Sequence, residues 1–200
     1  MIRFLDILLS IIAIIILSPV FVIIPLLIVA ESKGGFLFKQ IRVGLNGRDF
    51  VLFKFRSMYA NSDKGSLITI GNRDSRITKF GYFIRKYKID ELPQLFNVLM
   101  GCMSIVGPRP EVRKYVNLYT EEQRLILTVK PGITDYASIK YSNESNMIAE
   151  VDSPEEVYIE QILPAKIELN MMYIENKTVI NYFKIIGIIL CIIGIFLIFR

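Results

Sequence analysis

Histidine is absent from all 200 residues, and the two cysteines, Cys102 and Cys191, lie far apart and outside any CxxC motif. The lack of histidine excludes imidazole general bases, serine triads built on imidazole and the commonest zinc ligand. Two distant cysteines argue against a disulfide scaffold or a thiolate metal site. Chemistry in this chain therefore falls to carboxylates, lysine, arginine, hydroxyls and an oxygen-binding metal such as Mg²⁺.

Charge is unevenly distributed along the chain. The stretch from Lys33 to Lys88 holds 13 Lys or Arg residues against three acids, whereas Tyr141 to Lys177 holds eight acids against two bases. The basic stretch suits an anionic partner, such as a phosphorylated small molecule, anionic lipid or nucleic acid. Because no RNA-binding or helix-turn-helix pattern is present, we expect no nucleic-acid partner.

Hydrophobicity is concentrated at the two ends, and the hydrophobic share of 52% exceeds that of an ordinary soluble domain. The run from Ile7 to Ala30 has 24 uncharged residues, enough for a helix to cross a bilayer, with Asp6 near the interface. Ser18-Pro19 interrupts this run, which leaves a kinked spanning helix or a helix-break-helix that re-enters one face. The physics of the segment alone favours the kinked span.

Two flanking features complete the membrane prediction. The basic stretch that follows the first apolar run places the domain after it in the cytoplasm, by the positive-inside rule. The apolar run from Ile185 to Phe199 has only 15 residues. It fits a partial insertion, an interfacial helix or a core helix, and the sequence does not separate these.

The middle of the chain predicts alternating short elements. We expect strands at Phe36–Gln40 and Phe50–Phe55 around a turn at 44–47, a loop at Tyr59–Arg76, and helices at Ile77–Lys88, 90–100, Glu111–Leu127 and Ser153–Glu175, the last broken at Pro164. In the second helix Asp90 is expected to be the N-cap, Pro93 to lie in the first turn and Gly101 to end it. No repeat or flexible linker is present, which predicts one compact domain.

The pair Asp90-Glu91 is the first candidate for chemistry. In the plain interpretation Asp90 caps a helix and Glu91 complements the helix dipole. The functional interpretation draws on nearby bases, with Arg85 just before the pair and Arg109 held between two prolines after it. A backbone restricted by proline can aim a guanidinium at a phosphate, although a surface salt bridge is the alternative.

Lys54 and Arg56 form a second candidate group. They alternate along a predicted strand and therefore share one face. That face is either an exposed strand surface or a phosphate-binding wall. Gln40 and Arg42 alternate in the same way, and we rank them lower as candidates for binding a phosphate.

Four sequence blocks resemble the bacterial sugar transferase family, the monotopic phosphoglycosyl transferases that begin membrane glycan assembly. The blocks are Phe53-Lys54-Phe55-Arg56-Ser57-Met58, Asp90-Glu91-Leu92-Pro93-Gln94-Leu95-Phe96-Asn97-Val98-Leu99, Val106-Gly107-Pro108-Arg109-Pro110-Glu111 and Lys130-Pro131-Gly132-Ile133-Thr134. The resemblance runs from the N-terminal segment with Ser18-Pro19 to about Tyr182, and the order and spacing of the blocks make it specific.

The resemblance implies an α+β, mainly helical fold in three parts. Residues 1–32 would form a re-entrant membrane helix broken at Ser18 and Pro19, which reverses the preference for a spanning helix. Residues 33–183 would form a compact catalytic domain on the cytoplasmic face of the bacterial inner membrane, and residues 184–200 a hydrophobic membrane-associated segment.

The resemblance also implies an activity. Such an enzyme transfers a sugar 1-phosphate from a UDP-sugar to a membrane polyprenol phosphate of the undecaprenyl type and releases UMP. This is the first membrane step of polysaccharide or glycoconjugate synthesis. The alternative function is a non-catalytic membrane anchor that recruits glycan-assembly proteins, and a homodimer is compatible with either.

Residue roles follow by position. Asp90 would be the nucleophile that forms a covalent phosphosugar ester, with Glu91 its partner in binding Mg²⁺ or in deprotonating the acceptor, and both acids as metal ligands. Arg85 and Arg109 would hold the substrate phosphates or the nucleotide, and Lys54 and Arg56 join them as candidates from the strand face described above. Cys102 stands where the family often has an acid, and Asp135-Tyr136-Ala137-Ser138 replaces a Gly-Trp-Ala-Gln type sequence, which leaves the identity of the sugar open.

Overall fold

The computed structural model describes residues 1–60, 62, 74–141, 144–147, 151 and 153–198. Over these residues the chain is mainly helical, as predicted, with a small amount of sheet. The helices are α1 (Ile2–Ile16), α2 (Ser18–Glu31), α3 (Lys79–Lys86), α4 (Gln94–Leu99), α5 (Arg113–Val116), α6 (Tyr136–Lys140), α7 (Glu144–Met147), α8 (Pro154–Val157), α9 (Leu163–Glu175) and α10 (Val179–Ile198). The strands are β1 (Leu37–Val43), β2 (Asp49–Phe55), β3 (Ser104–Val106) and β4 (Gly132–Thr134).

The two N-terminal helices meet at a bend of 63°. The bend falls at Leu17, directly before Ser18-Pro19, so the predicted helix break is confirmed. Pro19 lies in the first turn of α2, where its missing N–H leaves no hydrogen bond unmade. No one helix within the described residues has both the length and the apolar content to cross a membrane, whereas this bent pair, taken together, has them.

The bent pair leaves a broad apolar surface uncovered on one side and packs on the domain with the other. Many of its large apolar side chains are exposed, among them Phe4, Ile15, Ile16, Val22 and Leu26. Ile24 and Ile28 of α2 are buried in a cluster with Phe55 and Ile84, which we call the α2 cluster. Two further residues, Ile89 and Leu92, pack against it from either side of Asp90 and Glu91.

The first sheet is an antiparallel hairpin, which contains the two predicted extended segments and the predicted turn between them. Strands β1 and β2 pair from Leu37 opposite Phe55 to Val43 opposite Asp49, around a turn at Leu45–Gly47. Helix α4 is fixed to the hairpin by Asn97, which is fully buried. The Asn97 Oδ1 accepts a hydrogen bond of 3.0 Å from the Phe53 N–H, and its Nδ2 donates one of 2.7 Å to the carbonyl of Val51. The side chain therefore replaces a missing neighbouring strand at this edge.

The second sheet joins β3 and β4 in parallel, with Ser104 opposite Gly132 and Val106 opposite Thr134. These three-residue strands were not predicted. The chain after β3 passes very close to the start of β4, because a Cβ on Gly132 would lie 2.1 Å from the backbone nitrogen of Gly107. Both positions therefore require glycine, and the segment between Gly107 and Glu111 is held against β4.

The predicted helix from Glu111 to Leu127 is wrong as a single element. The chain forms the short α5 and then a separate 3₁₀ segment, Gln123–Thr128. The reason is a reciprocal cap in which the Thr120 N–H donates to the Gln123 side chain (3.0 Å) and the Gln123 N–H donates to the Thr120 hydroxyl (3.2 Å). This pattern starts a new helical turn and ends the old one.

The C-terminal half is less interrupted than predicted. A π-helical segment, Tyr158–Ile162, joins α8 to α9. Pro164 lies in the first turn of α9, so the proline does not break that helix. The main hydrophobic core lies between these helices and α5, with Tyr115, Val116 and Ile162 among its buried members. The loop predicted at Tyr59–Arg76 falls largely outside the described residues.

Candidate active site

Asp90 and Glu91 lie in a tight 3₁₀ turn, Ile89–Glu91, and not at the start of a longer helix. Helix α4 begins only at Gln94, so the prediction that Asp90 caps it is wrong. The turn is preceded by Lys88 in the left-handed conformation, with φ of 56°. This conformation costs a non-glycine residue about 1–2 kcal/mol, and such strain is concentrated at functional sites in proteins.

The carboxylate of Glu91 is fully engaged by two cations. The Arg109 guanidinium donates to both of its oxygens, at 2.5 Å to Oε1 and 3.2 Å to Oε2, and the Lys54 Nζ lies 3.0 Å from Oε1. Burial alone would raise the pKa of Glu91, but Arg109 and Lys54 hold this pKa well below its usual range. Glu91 is therefore a stable anion that orients both bases.

Asp90 has the opposite environment. It is 5% exposed, yet no residue in the described part of the chain donates a hydrogen bond to its carboxylate or forms an ion pair with it. Burial and the adjacent Glu91 raise the pKa of Asp90, while Lys54, Arg85 and Lys88 oppose that rise. Two adjacent carboxylates whose pKa values are pushed apart are a mark of divided catalytic roles. The oxygens of Asp90 are available to a ligand or to a reaction.

The loop that carries Arg109 is fixed from several sides. The Arg109 N–H donates to Asp135 Oδ2 (3.0 Å), the Gly132 N–H donates to the Pro108 carbonyl (2.9 Å), and an Arg42 Nη donates to the Pro110 carbonyl (3.0 Å). Asp135 is fully buried and also caps α6 through the Ser138 N–H. This loop therefore presents the Arg109 guanidinium to Glu91 from a rigid backbone.

A buried polar network supports the same loop from behind. The Glu111 carboxylate accepts a hydrogen bond of 2.6 Å from the Tyr158 hydroxyl, lies 3.5 Å from Arg42 and 3.7 Å from the Lys166 Nζ. Burial would raise the pKa of Glu111, but Lys166 and Arg42 lower it. From the sequence, Arg42 is only a lower-ranked candidate and Asp135 only a departure from the family sequence, and their supporting contacts are not predicted, since the partners are distant in sequence. The N-cap position of Asp135 was a local signal.

Three of the four predicted phosphate-binding cations lie near the acidic pair. Lys54 and Arg109 contact Glu91, and Arg85, in the last turn of α3, is half-buried and among the charges that act on Asp90. Among the described residues Arg85 makes no hydrogen bond or ion pair. Its guanidinium is therefore free to bind an anion.

Arg56 is directed elsewhere. Its guanidinium donates to the carbonyls of Lys33 (2.6 Å) and Ser32 (2.7 Å) and so satisfies the end of α2. The chain can wrap around it because Gly34 has a φ of +121°, and a Cβ there would lie 2.3 Å from an Arg56 Nη. Arg56 lies just after the end of β2, so the alternation of side chains along the strand does not place it on one face with Lys54. Its position gives no support to the predicted contact with a phosphate.

We predict that Arg56→Met lowers the stability of the protein without removing the acidic pair. The substitution leaves the carbonyls at the end of α2 without a charged donor, a loss of about 2 kcal/mol for hydrogen bonds of this kind. The midpoint of thermal unfolding in detergent should fall, and Arg48→Met, on an exposed side chain, serves as the control. An unchanged midpoint in Arg56→Met would contradict the capping role.

Lys54 should set the acid limb of the pH profile. Because Lys54 opposes the rise in the pKa of Asp90, Lys54→Met should raise that pKa further. If the ionised carboxylate is the reactive form, activity is lost as the pH falls through this pKa, so the acid limb of kcat/KM should move to higher pH. Lys39→Met, an exposed lysine on β1, should leave the limb in place. A shift to lower pH would contradict the assignment.

The sequence matches the family model described as bacterial sugar transferase over residues 1–193. The chain belongs to the bacterial sugar transferase family. It is 44% identical over 140 residues to a UDP-N-acetylgalactosamine-undecaprenyl-phosphate N-acetylgalactosaminephosphotransferase of Aeromonas hydrophila, covering 68% of this chain and 33% of that protein. It is 35% identical over 185 residues to a UDP-glucose:undecaprenyl-phosphate glucose-1-phosphate transferase of Klebsiella pneumoniae, covering 90% of this chain and 37% of the relative.

A smaller relative is the uncharacterized sugar transferase EpsL of Bacillus subtilis, 45% identical over 140 residues, which cover 70% of this chain and 60% of EpsL. The chain thus spans about a third of the length of the Aeromonas and Klebsiella proteins. The names of the Aeromonas and Klebsiella proteins both include undecaprenyl phosphate and differ in the sugar.

Proposed function

We propose that this protein transfers a sugar 1-phosphate from a UDP-sugar to a polyprenol phosphate of the undecaprenyl type and releases UMP. The observation that carries the proposal is the contrast within the acidic pair, since Glu91 is held by Arg109 and Lys54 while the buried Asp90 is left without a partner. The family and the names of the relatives support the substrates.

In the first step an Asp90 oxygen attacks the sugar-bearing phosphorus of the donor. A bond forms between the carboxylate oxygen and phosphorus, the phosphoanhydride bond breaks, and UMP leaves with the bridging oxygen. The result is an acyl phosphate that carries the sugar. In the second step an oxygen of the polyprenol phosphate attacks the same phosphorus, the acyl phosphate bond breaks, and Asp90 is regenerated. Covalent catalysis of this kind divides one difficult transfer into two easier ones.

The cations around the pair address the main obstacle, which is repulsion between a carboxylate and a diphosphate. Arg85 is free to bind a phosphate, and Arg109 can share its guanidinium between Glu91 and the substrate. Fixed positive groups at the place where negative charge develops stabilise the transition state without reorganisation. Glu91 keeps Arg109 and Lys54 in place for this purpose.

The acidic pair also fits a magnesium ion. Mg²⁺ prefers carboxylate oxygens, substrate phosphates and water, and it is commonly bound by only one or two carboxylates. We propose that this pair, with its buried Asp90 unpartnered among the described residues, binds the ion. Asp90 would hold the ion, and Glu91 would join by giving up part of its contact with Arg109 or Lys54. When bound, the ion would offset charge on the transferred phosphoryl group.

We further propose that the bent pair α1–α2 re-enters the membrane from the cytoplasmic face of the bacterial inner membrane. The 63° bend, the exposed apolar side chains of both helices and the buried face toward the domain support this arrangement. Residues 1–32 then form the membrane helix, 33–183 the catalytic domain and 184–200 a hydrophobic membrane-associated segment. The acidic pair, next to α2, would lie at the depth of the lipid phosphate.

The decisive experiment is a burst assay on the purified full chain in detergent. With a panel of UDP-sugars and no acceptor, one donor should release about one UMP per chain, because the enzyme stops at the covalent intermediate. Adding undecaprenyl phosphate should convert the burst into steady turnover. No UMP release from any donor would refute the proposed function, and turnover with acceptor but no burst without it would refute the covalent route.

Removal of divalent cations should suppress the same burst. We expect EDTA to lower UMP release at least about 100-fold, because the charge of the diphosphate is then opposed by arginine and lysine alone. Excess MgCl₂ should restore the burst, and the midpoint of thermal unfolding should change little, since Glu91 keeps its contacts with Arg109 and Lys54 without metal. Full activity in EDTA would show that the arginine and lysine side chains alone are enough to oppose the charge of the diphosphate.

A further inference from the structure

Asp6 of α1 lies at a junction of three elements far from one another in sequence. It is 2% exposed, and its carboxylate accepts hydrogen bonds from the Ser104 hydroxyl (2.9 Å), the Ile105 N–H (2.9 Å) and the Tyr182 hydroxyl (2.9 Å). Ser104 and Ile105 belong to β3, and Tyr182 belongs to α10. The sequence predicts Asp6 near the membrane interface, and the structure adds that its side chain is buried within the protein.

Arg3, one turn before Asp6, makes a second long-range contact. Its guanidinium donates to the carbonyls of Val98 (2.7 Å) and Leu99 (3.2 Å), the last residues of α4. Helix α4 follows directly on the turn that carries the acidic pair, and β3 leads directly into the loop that carries Arg109. Helix α1 therefore holds the supports of both halves of the candidate site.

The chemistry of Asp6 is more than a means of attachment. Within the described residues its carboxylate has only neutral hydrogen-bond donors and no ion pair, and burying a charge in that way is costly. The surrounding residues of α1 and α10, such as Leu5, Leu9 and Ile185, already pack the helices together by apolar contact. Apolar contacts are not directional, whereas the hydrogen bonds that the carboxylate accepts fix its position relative to the backbone of β3. Ionisable residues in apolar helices commonly face the protein interior and serve function.

We propose that Asp6 is a positioning residue for Arg109. By holding the Ile105 N–H and the Ser104 hydroxyl, it sets where β3 ends and hence where the Arg109 guanidinium meets Glu91 and the donor phosphates. Arg3 sets the position of α4 against the same helix. This inference rests on the proposed function, because its readout is the transfer reaction.

The test is a double-mutant cycle on UMP release. Asp6→Asn should lower kcat/KM by about 10- to 100-fold, the scale of a small misplacement of a catalytic group. In the Arg109→Lys background, where the two-point contact with Glu91 is already lost, Asp6→Asn should have little further effect. The control cycle pairs Asp6→Asn with Arg85→Gln on α3, and there the two losses should multiply.

This cycle separates positioning from a merely structural role. A variant that only destabilised the fold would reduce the active fraction by the same factor whichever residue stood at position 109. The proposal would therefore be overturned if the decreases in kcat/KM of the two single variants multiplied in both cycles, or if Asp6→Asn left turnover unchanged. If Asp6→Asn does not fold, Tyr182→Phe and Ser104→Ala each remove one hydroxyl donor and should show the same coupling with Arg109→Lys. Absence of UMP release from the unmodified chain would instead refute the proposed function.

Discussion

Asp90→Asn should abolish UMP release, with a loss of at least about 1000-fold, because an amide oxygen is a poor nucleophile and a neutral one. It should also abolish the radiolabelled adduct formed between the chain and the donor. The protein should still fold, since no described residue bonds to the Asp90 carboxylate and an uncharged side chain there removes a buried charge. Burst assay, adduct trapping and thermal unfolding together check these three expectations.

Asp49→Asn is the matched control for that substitution. Asp49 is half-exposed and lies on β2, and among the described residues its only ion-pair partner is Arg113 at the surface. The same chemical change should therefore leave turnover within about a factor of two. If Asp90→Asn released UMP at the normal rate, another residue would be the nucleophile. If product formed normally while no adduct could be trapped in the unmodified chain, transfer would proceed directly between the substrates.

Arg109→Lys should have the second-largest effect, a fall in kcat/KM of about 100- to 1000-fold. A lysine keeps the charge but cannot donate to both oxygens of Glu91 as the guanidinium does at 2.5 Å and 3.2 Å. Both the orientation of Glu91 and the contact with the donor phosphates should be lost. Steady-state kinetics of UMP release with a fixed acceptor concentration measures the effect.

Arg113→Lys provides the matched control, since Arg113 is exposed and its bonds are to the hairpin turn and Asp49. It should leave kcat/KM within about a factor of two, as is usual for surface ion pairs. A decrease of less than threefold in Arg109→Lys would show that position 109 supplies charge and not a directed two-point contact.

The elements that the sequence predicted well are those with strong local signals. The hairpin of β1 and β2 follows from alternating apolar residues around the turn at 44–47, and the bend at Leu17 follows from Ser18-Pro19 in an apolar run. Gly101, in a positive-φ conformation after α4, also matched its prediction. Family blocks located the acidic pair and Arg109, which the structure then brought together.

The two errors in the helix predictions come from local backbone features that the apolar periodicity does not show. Asp90 has the sequence context of an N-cap, yet Lys88 in the left-handed conformation turns the chain so that the pair sits in a 3₁₀ turn under Arg109. The cap between Thr120 and Gln123 could have been read from the sequence as a helix start, and it was overlooked.

The support of the site was beyond sequence reasoning. Asp135 fixes the backbone of Arg109 across 26 positions, and Asp6 reaches Ile105 across 99. Strands β3 and β4 have three residues each, too few to show a periodic pattern. Contacts of this kind cannot be predicted from local sequence, because the residues around each side chain do not indicate its distant partner.

The packing of Ile89 and Leu92 in the α2 cluster has a consequence for the environment in which the protein works. The turn that carries Asp90 and Glu91 is flanked by residues of the same hydrophobic cluster as the apolar helix pair, so we expect a tilt or vertical shift of that pair to move the carboxylates as well. Under the proposed function, the rate of turnover should therefore depend on the acyl-chain length of the surrounding lipids. Bilayers too thin or too thick for the bent pair would move the turn away from the plane of the acceptor headgroup.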